Sequence, residues 1–312
     1  MISSLELARL SGCSQGTVDR ALHNRPGISE ATKNHILALA AKHGYRPHPA
    51  ARELLTGERR TIGAIIPAIN SVFFMDLMNT IRQALGGYRF ILTQVSNAAE
   101  FLDTLQEFAS LRTRLAVAVP PEADIELPDS LLQSLPVACV VNPCRGKRVC
   151  NLIPDEVEAG RTATRHLIQH GHERIVHLCP QRESPAIVNR ARGYEAEMKR
   201  QGFRSLVLRQ WSADDLLPQL KPFGATAVFC HNDWLALSVI RALNQSGVRV
   251  PDDLSVLGVD DSPTFNSLCP DISTLHYPAE SIAKAVAALV NEKIPPKIAA
   301  MSVVERATVR TL

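Results

Sequence analysis

No run of about eighteen uncharged apolar residues occurs in the 312-residue sequence, so no membrane-spanning helix is expected. Met1 to Leu10 carries Glu6 and Arg9 and lacks a cationic stretch leading into an apolar one. A secretory signal is therefore not expected, and a cytoplasmic location is. The seven cysteines (13, 139, 144, 150, 179, 230 and 269) are scattered and odd in number, and no two form a CxxC pair. They read as reduced packing residues rather than a disulfide framework, and the spacing of Cys139, Cys144 and Cys150 fits no standard zinc site. GxGxxG after the first strand, GxxxxGK[ST], GxSxG and HExxH are all missing, which removes the commonest nucleotide-binding and hydrolytic signatures. His166-Leu167-Ile168-Gln169-His170-Gly171-His172 puts two histidines one helical turn apart, but no third ligand stands at a matched spacing. It reads as a helix C-terminus with histidines satisfying carbonyls. No repeat of solenoid period and no low-complexity segment is present. No metal, no cofactor and no enzymatic activity are expected.

What is present is a chain long enough for two or three globular units, with 46% hydrophobic and 21% charged residues. Its net charge of +3 is unevenly spread. Residues 1–60 hold nine Lys/Arg against five Asp/Glu, while residues 61–312 hold twenty-five against twenty-six. A basic head on a near-neutral body is the electrostatic footprint of a nucleic-acid module joined to something else.

Ser3 and Glu6 form a capping-box pattern that starts a short helix, with Leu5 and Ala8 expected inward. Gly12 supplies a tight turn, Ser14 caps a second helix through Val18, Ala21 and Leu22, and Ser29 caps a third that carries Ile36, Leu39 and Ala40. Three short helices with a glycine turn between the first two make a helix-turn-helix. Arg46-Pro47-His48-Pro49 reads as an extended linker, followed by a short helix from Ala50 to Leu55. Beyond it, apolar runs rich in β-branched residues (62–67, 90–95, 115–119, 137–141, 175–179, 227–230 and 254–259) alternate with helical patterns near 74–86, 98–111, 156–170, 188–201, 233–246 and 279–292. This alternation indicates doubly wound parallel sheets in two halves, with a boundary near Pro154-Asp155.

Several motifs then resemble one family in order along nearly the entire chain. They are Ser14-Gln15-Gly16-Thr17-Val18-Asp19-Arg20-Ala21-Leu22, Ile28-Ser29, Gly44-Tyr45-Arg46-Pro47 and Ala51-Arg52-Glu53-Leu54, then Gly171-His172-Glu173-Arg174-Ile175, Arg190-Ala191-Arg192-Gly193-Tyr194, Asn232-Asp233 and Val250-Pro251-Asp252-Asp253-Leu254 running on to Asp261. The sequence is similar to the LacI–GalR family of bacterial transcriptional regulators. The resemblance implies an all-α helix-turn-helix headpiece (residues 1–46) and a hinge or linker segment (47–60) that carries the short hinge helix, joined to an α/β periplasmic-binding-protein-like core (61–312) of two doubly wound parallel-sheet subdomains. The first subdomain is expected at 61–154 plus 278–300 and the second at 155–277 plus 301–312. The sequence departs from the family pattern at Asn70-Ser71-Val72-Phe73 and at Asp19, and its first core half looks shorter than usual. No heptad segment follows Leu312, so tetramerisation through one is not expected.

The implied partners are double-stranded operator DNA, read by a homodimer with a pseudo-palindromic site, and a small effector, a sugar or sugar derivative. Ser14, Gln15, Gly16, Thr17 and Arg20 fall at DNA-contact positions. Arg suits guanine and Gln suits adenine in the major groove, Thr17 is placed near phosphates, and Asp19 is expected to orient Arg20 rather than to accept from a cytosine amine. In the hinge, the resemblance makes Leu54 the minor-groove wedge, with Ala51 permitting close helix approach and Arg52 near the backbone. Arg20 as a phosphate contact and Leu54 as a domain-packing residue are the plainer alternatives. Asn142, Arg190, Trp211, Asn232 and Asp260 fall at effector positions, and their types suit a polyol; the plainer alternatives are Asp260 as a cap of the loop before Ser262, Trp211 as core and Arg190 paired with a neighbouring carboxylate. Phe74, Leu77, Met78 and Ile81 recur at helical spacing and fit either a dimer interface or plain core. A solute-binding protein for uptake is the competing reading, and an enzyme on the same scaffold the third.

Overall fold

The computed structural model describes residues 2–45, 58–68, 72–181 and 184–312, so the expected hinge helix with Ala51, Arg52 and Leu54 lies outside the described residues. Two units result, Met1–Arg59 and Arg60–Leu312. In the first, α1 (Ser4–Ser11) opens on the expected capping box: Glu6 N–H donates to Ser3 Oγ (3.1 Å) and Ser3 N–H to Glu6 Oε2 (2.7 Å). Gly12 turns the chain at a φ of 64°, and α2 (Gln15–Leu22) and α3 (Glu30–Lys42) are capped by Ser14 and Ser29. Leu7, Ala8, Val18, Ala21, Ile36 and Ala40 form the small core. Leu5, expected inward, is 50% exposed, because the buried stripe of α1 runs through Leu7 instead.

The second unit holds β1 (Thr61–Pro67), α4 (Val72–Ala84), β2 (Arg89–Val95), α5 (Ala98–Ser110), β3 (Leu115–Ala118), α6 (Asp129–Ser134), β4 (Val137–Val140) and β5 (Val149–Leu152). It continues with α7 (Glu156–Gln169), β6 (Ile175–Leu178), α8 (Pro185–Arg200), β7 (Leu206–Leu208), α9 (Leu216–Leu220), β8 (Ala227–Cys230), α10 (Asp233–Gln245) and β9 (Ser255–Leu257). The last elements are α11 (Pro263–Leu268), β10 (Thr274–His276), α12 (Ala279–Val290) and β11 (Ser302–Val304). Two parallel sheets form, in the orders β2-β1-β3-β4-β5 and β7-β6-β8-β9, while β10 and β11 pair antiparallel. The apolar runs became central strands buried along their full length, whereas β2 sits at an edge and leaves Ile91 and Leu92 open. The short strands β5, β7, β10 and β11 have no counterpart among the apolar runs of the sequence, and each is only partly buried. In both sheets the first strand lies between the second and third, so the strand order reverses there and a crevice opens at the carboxyl ends.

Phe74, Leu77, Met78 and Ile81 are all buried in one cluster with β1, β3 and α12 residues. They are plain core and offer no dimer surface. After α12 the chain returns to the second sheet, where Val256 N–H donates to Thr308 O (2.7 Å).

Helices α7 and α8 meet at two glycines. A β-carbon on Gly160 would stand 2.1 Å from the Arg190 carbonyl oxygen, and one on Gly193 would stand 2.0 Å from that of Val157. Both are inside any tolerable contact, so only glycine permits this crossing. Gly193→Ala should force the helices apart and cost about 1–3 kcal/mol in urea unfolding. Gly86→Ala, with nothing within 4 Å, should change stability by less than about 0.5 kcal/mol. Equal effects of the two would contradict the glycine-set crossing.

Candidate effector cleft and DNA-reading face

The crevice between the two sheets is a cavity of about 150 Å³. It is lined at strand ends by Pro67, Pro121, Val141, Asn142, Pro180, His231, Asn232 and Asp260, and otherwise by Phe73, Phe74, Glu156, Arg190, Trp234 and Tyr277 among others. Of the five residues named for an effector, four therefore come together. Trp211 does not: it packs against the apolar cluster of the second sheet with Leu206, Leu208 and Leu216. Phe73, Phe74, Trp234 and Tyr277 supply the aromatic surfaces at the cavity instead, Phe73 meeting Tyr277 edge-on at 4.9 Å.

Arg190 is committed within the protein. Its Nε and Nη2 donate to Glu156 Oε2 at 2.9 and 2.6 Å, and Nη1 donates to the carbonyl of His231. Both side chains of the ion pair are nearly inaccessible, at 4% and 3% exposure. Glu156 heads α7 and Arg190 lies on α8, so the glycine crossing is what brings them into contact. The sequence reading missed Glu156, since nothing local marks a residue in the first turn of a helix as a partner for one on the next.

Three buried polar atoms on the cavity wall have no hydrogen-bond partner among the described residues: Asn142 Oδ1, Glu156 Oε1 and Tyr277 Oη. Asn142 Nδ2 is held by the Pro120 carbonyl (3.0 Å), which aims its oxygen; the Tyr277 phenol faces the Val141 backbone without a bond of normal geometry. Buried polar atoms are nearly always paired, so three orphans in one cavity indicate groups awaiting a ligand or ordered water. Asn232 spends its oxygen on capping α10, accepting from Leu235 N–H (2.9 Å), and retains its amide N–H groups.

The Asp260 loop is braced from behind. Asp260 and Asp261 take φ values of 130° and 55°, and Asp233 Oδ2 accepts from Asp261 N–H (2.8 Å) while its Oδ1 accepts from Thr274 Oγ1 (2.6 Å). Gly258 is required here, because a β-carbon would lie 2.1 Å from Asp233 Oδ1. Asp261 in turn accepts from Arg306 (2.6 Å), Asn266 (2.7 Å) and His276 (2.9 Å). Burial alone would raise its carboxyl, but these bonds hold it below the usual range.

On the headpiece, Ser14, Gln15, Gly16 and Arg20 are exposed and Thr17 is half-exposed, its hydroxyl 2.9 Å from that of Ser14. Gln15 donates to Ser4 Oγ (3.2 Å). Asp19 does not orient Arg20: its carboxylate pairs with Arg25 and His23, both at 3.0 Å. The Arg20 side chain lies by Gly27, 3.8 Å from where a β-carbon would stand.

Burial raises the carboxyls of Glu156 and Asp260, against the pull of Arg190, and raises Asp233 to about 7. A carboxyl whose folded pKa exceeds its unfolded value keeps a proton that the unfolded chain has lost. Between about pH 4 and 7 the folded state therefore binds more protons, and stability falls as the pH rises through that window. Asp233→Asn removes one such group. Its stability difference between pH 4.5 and 8, measured by urea unfolding, should be smaller than the parent's by a few kcal/mol; an unchanged difference would contradict the burial argument.

Residues 5–48 match the family of bacterial regulatory proteins called the lacI family, and residues 164–311 match the periplasmic binding protein-like domain. Among curated relatives, the transcriptional repressor PurR of Photobacterium profundum is 27% identical, covering 95% of this chain and 93% of its own. The transcriptional regulator GalR of Escherichia coli is 28% identical, covering 93% of this chain and 88% of its own. The fold is shared with the Lac repressor dimer bound to operator and the anti-inducer ONPF, at a TM-score of 0.82, 19% identity and 99% coverage of both chains. Headpiece, cleft and relatives agree, and neither an enzyme nor a transport protein is favoured. The chain joins a DNA-binding headpiece of the lacI family to a periplasmic-binding-protein-like domain, the arrangement of ligand-responsive regulators that bind DNA.

Proposed function

We propose that the protein is a homodimeric repressor of carbohydrate-utilisation genes, released from or driven onto its operator by a neutral, single-ring polyhydroxylated effector. The observation that carries the effector class is the pairing of Arg190 with Glu156 beside three unpartnered polar atoms. Among the described residues, Arg190 is neutralised by Glu156 and Asp260 also stands on the wall, so no lysine or arginine side chain is left in the cavity for a phosphate or carboxylate. A volume of about 150 Å³ is of the order that takes one six-membered ring. Asn142, Tyr277, Asn232 and Asp260 would bond the hydroxyls, and Phe73 or Trp234 would cover the apolar face of the ring. Arg190 acts by positioning Glu156. Removing it would leave a buried carboxylate unpaired at a cost of about 3–5 kcal/mol, so it is a poor probe of ligand contact.

For DNA, Arg20 and Gln15 would read base edges, Ser14 and Thr17 would hold phosphate, and Gly16 would leave one base weakly specified. The exposure of this face supports that reading. Ala51, Arg52 and Leu54 keep their proposed hinge roles at the minor groove. The Lac repressor structure is that of a dimer on its operator, which supports two-fold reading here. The dimer surface must exclude the four core residues of α4.

Two measurements check this, using fluorescence anisotropy with DNA from the gene's own upstream region. Arg20→Ala should weaken cognate DNA by about 1–3 kcal/mol more than random DNA; equal weakening would assign Arg20 to phosphate. Asn142→Ala and Tyr277→Phe should keep the DNA affinity of the ligand-free protein and lose the response to a panel of neutral monosaccharides. A full response in both variants would remove the cavity as the effector site.

A further inference from the structure

We propose that His166, His170 and Glu305 form a binding site for a divalent transition-metal ion of the zinc type, on the outer face of the second core half and away from the cleft. The two histidines stand one turn apart near the C-terminus of α7, their rings 4.4 Å between centroids. The third donor, missing from any matched spacing in the sequence, arrives with the residue that follows β11. Glu305 Oε1 lies 3.5 Å from His170 Nε2, and Oε2 lies 3.9 Å from His166 Nε2. One donor atom from each residue falls within 4.8 Å of the others. Donors placed 2.0–2.2 Å from a tetrahedral zinc are separated by about 3.3–3.5 Å, so closing the site takes shifts of a few tenths of an ångström to about one. The carboxylate, on a side chain 55% exposed, is free to make them.

The protonation pattern suits ligation. His170 Nδ1 lies 2.9 Å from the His166 carbonyl, which can only accept, so Nδ1 carries the proton and Nε2 presents a lone pair to the site. This is the backbone-carbonyl support that metal-binding imidazoles commonly have. His166 Nε2 is buried and has no hydrogen-bond partner among the described residues. Nearby His172 is not part of the set, since its two ring nitrogens are taken by Thr226 Oγ1 and the Arg310 carbonyl, both at 3.1 Å. Two imidazoles and a carboxylate favour zinc among the divalent ions, with water in the remaining position, and disfavour magnesium. A bound ion would fasten the returning C-terminal segment to α7, next to Arg306, which grips Asp261 behind the cleft.

The test is calorimetric titration of the reduced, EDTA-stripped full chain with ZnCl2, with MgCl2 as the control. One Zn2+ per chain should bind at micromolar concentration and raise the melting temperature. His170→Ala and Glu305→Gln should each weaken binding by about ten-fold or more. Glu305 is exposed, so Glu305→Gln should leave the melting temperature of the metal-free protein unchanged. Absence of zinc binding, or binding of equal affinity in both variants with the cysteines then holding the ion, would overturn the site.

Discussion

A buried guanidinium cannot stand unpaired in a protein interior, where the desolvation of each ion costs several kcal/mol. Arg190 meets that requirement through Glu156, and the rest of the cleft follows from the pairing. The two residues belong to different helices, and the close approach of α7 to α8 that only Gly160 and Gly193 allow brings them together. Among the described residues, the same contact spends the one arginine on the wall and leaves the second oxygen of Glu156, which lines the cavity, without a partner. Charge selectivity and helix packing are thus one interaction seen from two sides.

The strand ends supply the remaining geometry. Reversal of strand order in each sheet opens the crevice, and short loops after β4, β8 and β9 carry Asn142, Asn232 and Asp260 into it. The loop after β9 holds two residues at positive φ, a conformation that persists because Asp233, Thr274 and Gly258 over-determine it. Asp261 joins that loop to Arg306, so the last stretch of chain is bonded to the back of the cleft. A ligand that moves Asp260 therefore acts on a segment tied to the crossing between the core halves, the element through which such proteins can shift between arrangements.

Local chemistry was the most legible part of the sequence. Serine caps, the Ser3–Glu6 box and continuous apolar strands depend on neighbours within a turn or on burial of a whole run, and the structure has them within a few residues of where the pattern puts them. Contacts between distant elements were less so. Glu156 could not be matched with Arg190, nor Glu305 with His170, because the pairing is made by helix crossing and strand return rather than by spacing. Asp19 was expected to serve Arg20, its neighbour in sequence, yet adjacent helical residues point to different faces and it serves Arg25 and His23. Trp211 was expected in the cleft from the family resemblance, but the chain after β7 folds against the second sheet and Trp234 takes a place at the cavity.

Among the described residues the cleft has spent its arginine on Glu156, and an uncharged polyol is the ligand proposed for it. Calorimetric titration of the full chain with matched pairs, each a neutral monosaccharide and its 6-phosphate, tests this most directly. The account requires that the neutral member of any pair that binds be held at least about ten-fold tighter, a difference of about 1.4 kcal/mol. Tighter binding of the phosphorylated member would show that Arg190 leaves Glu156 to meet an anion, and would contradict it.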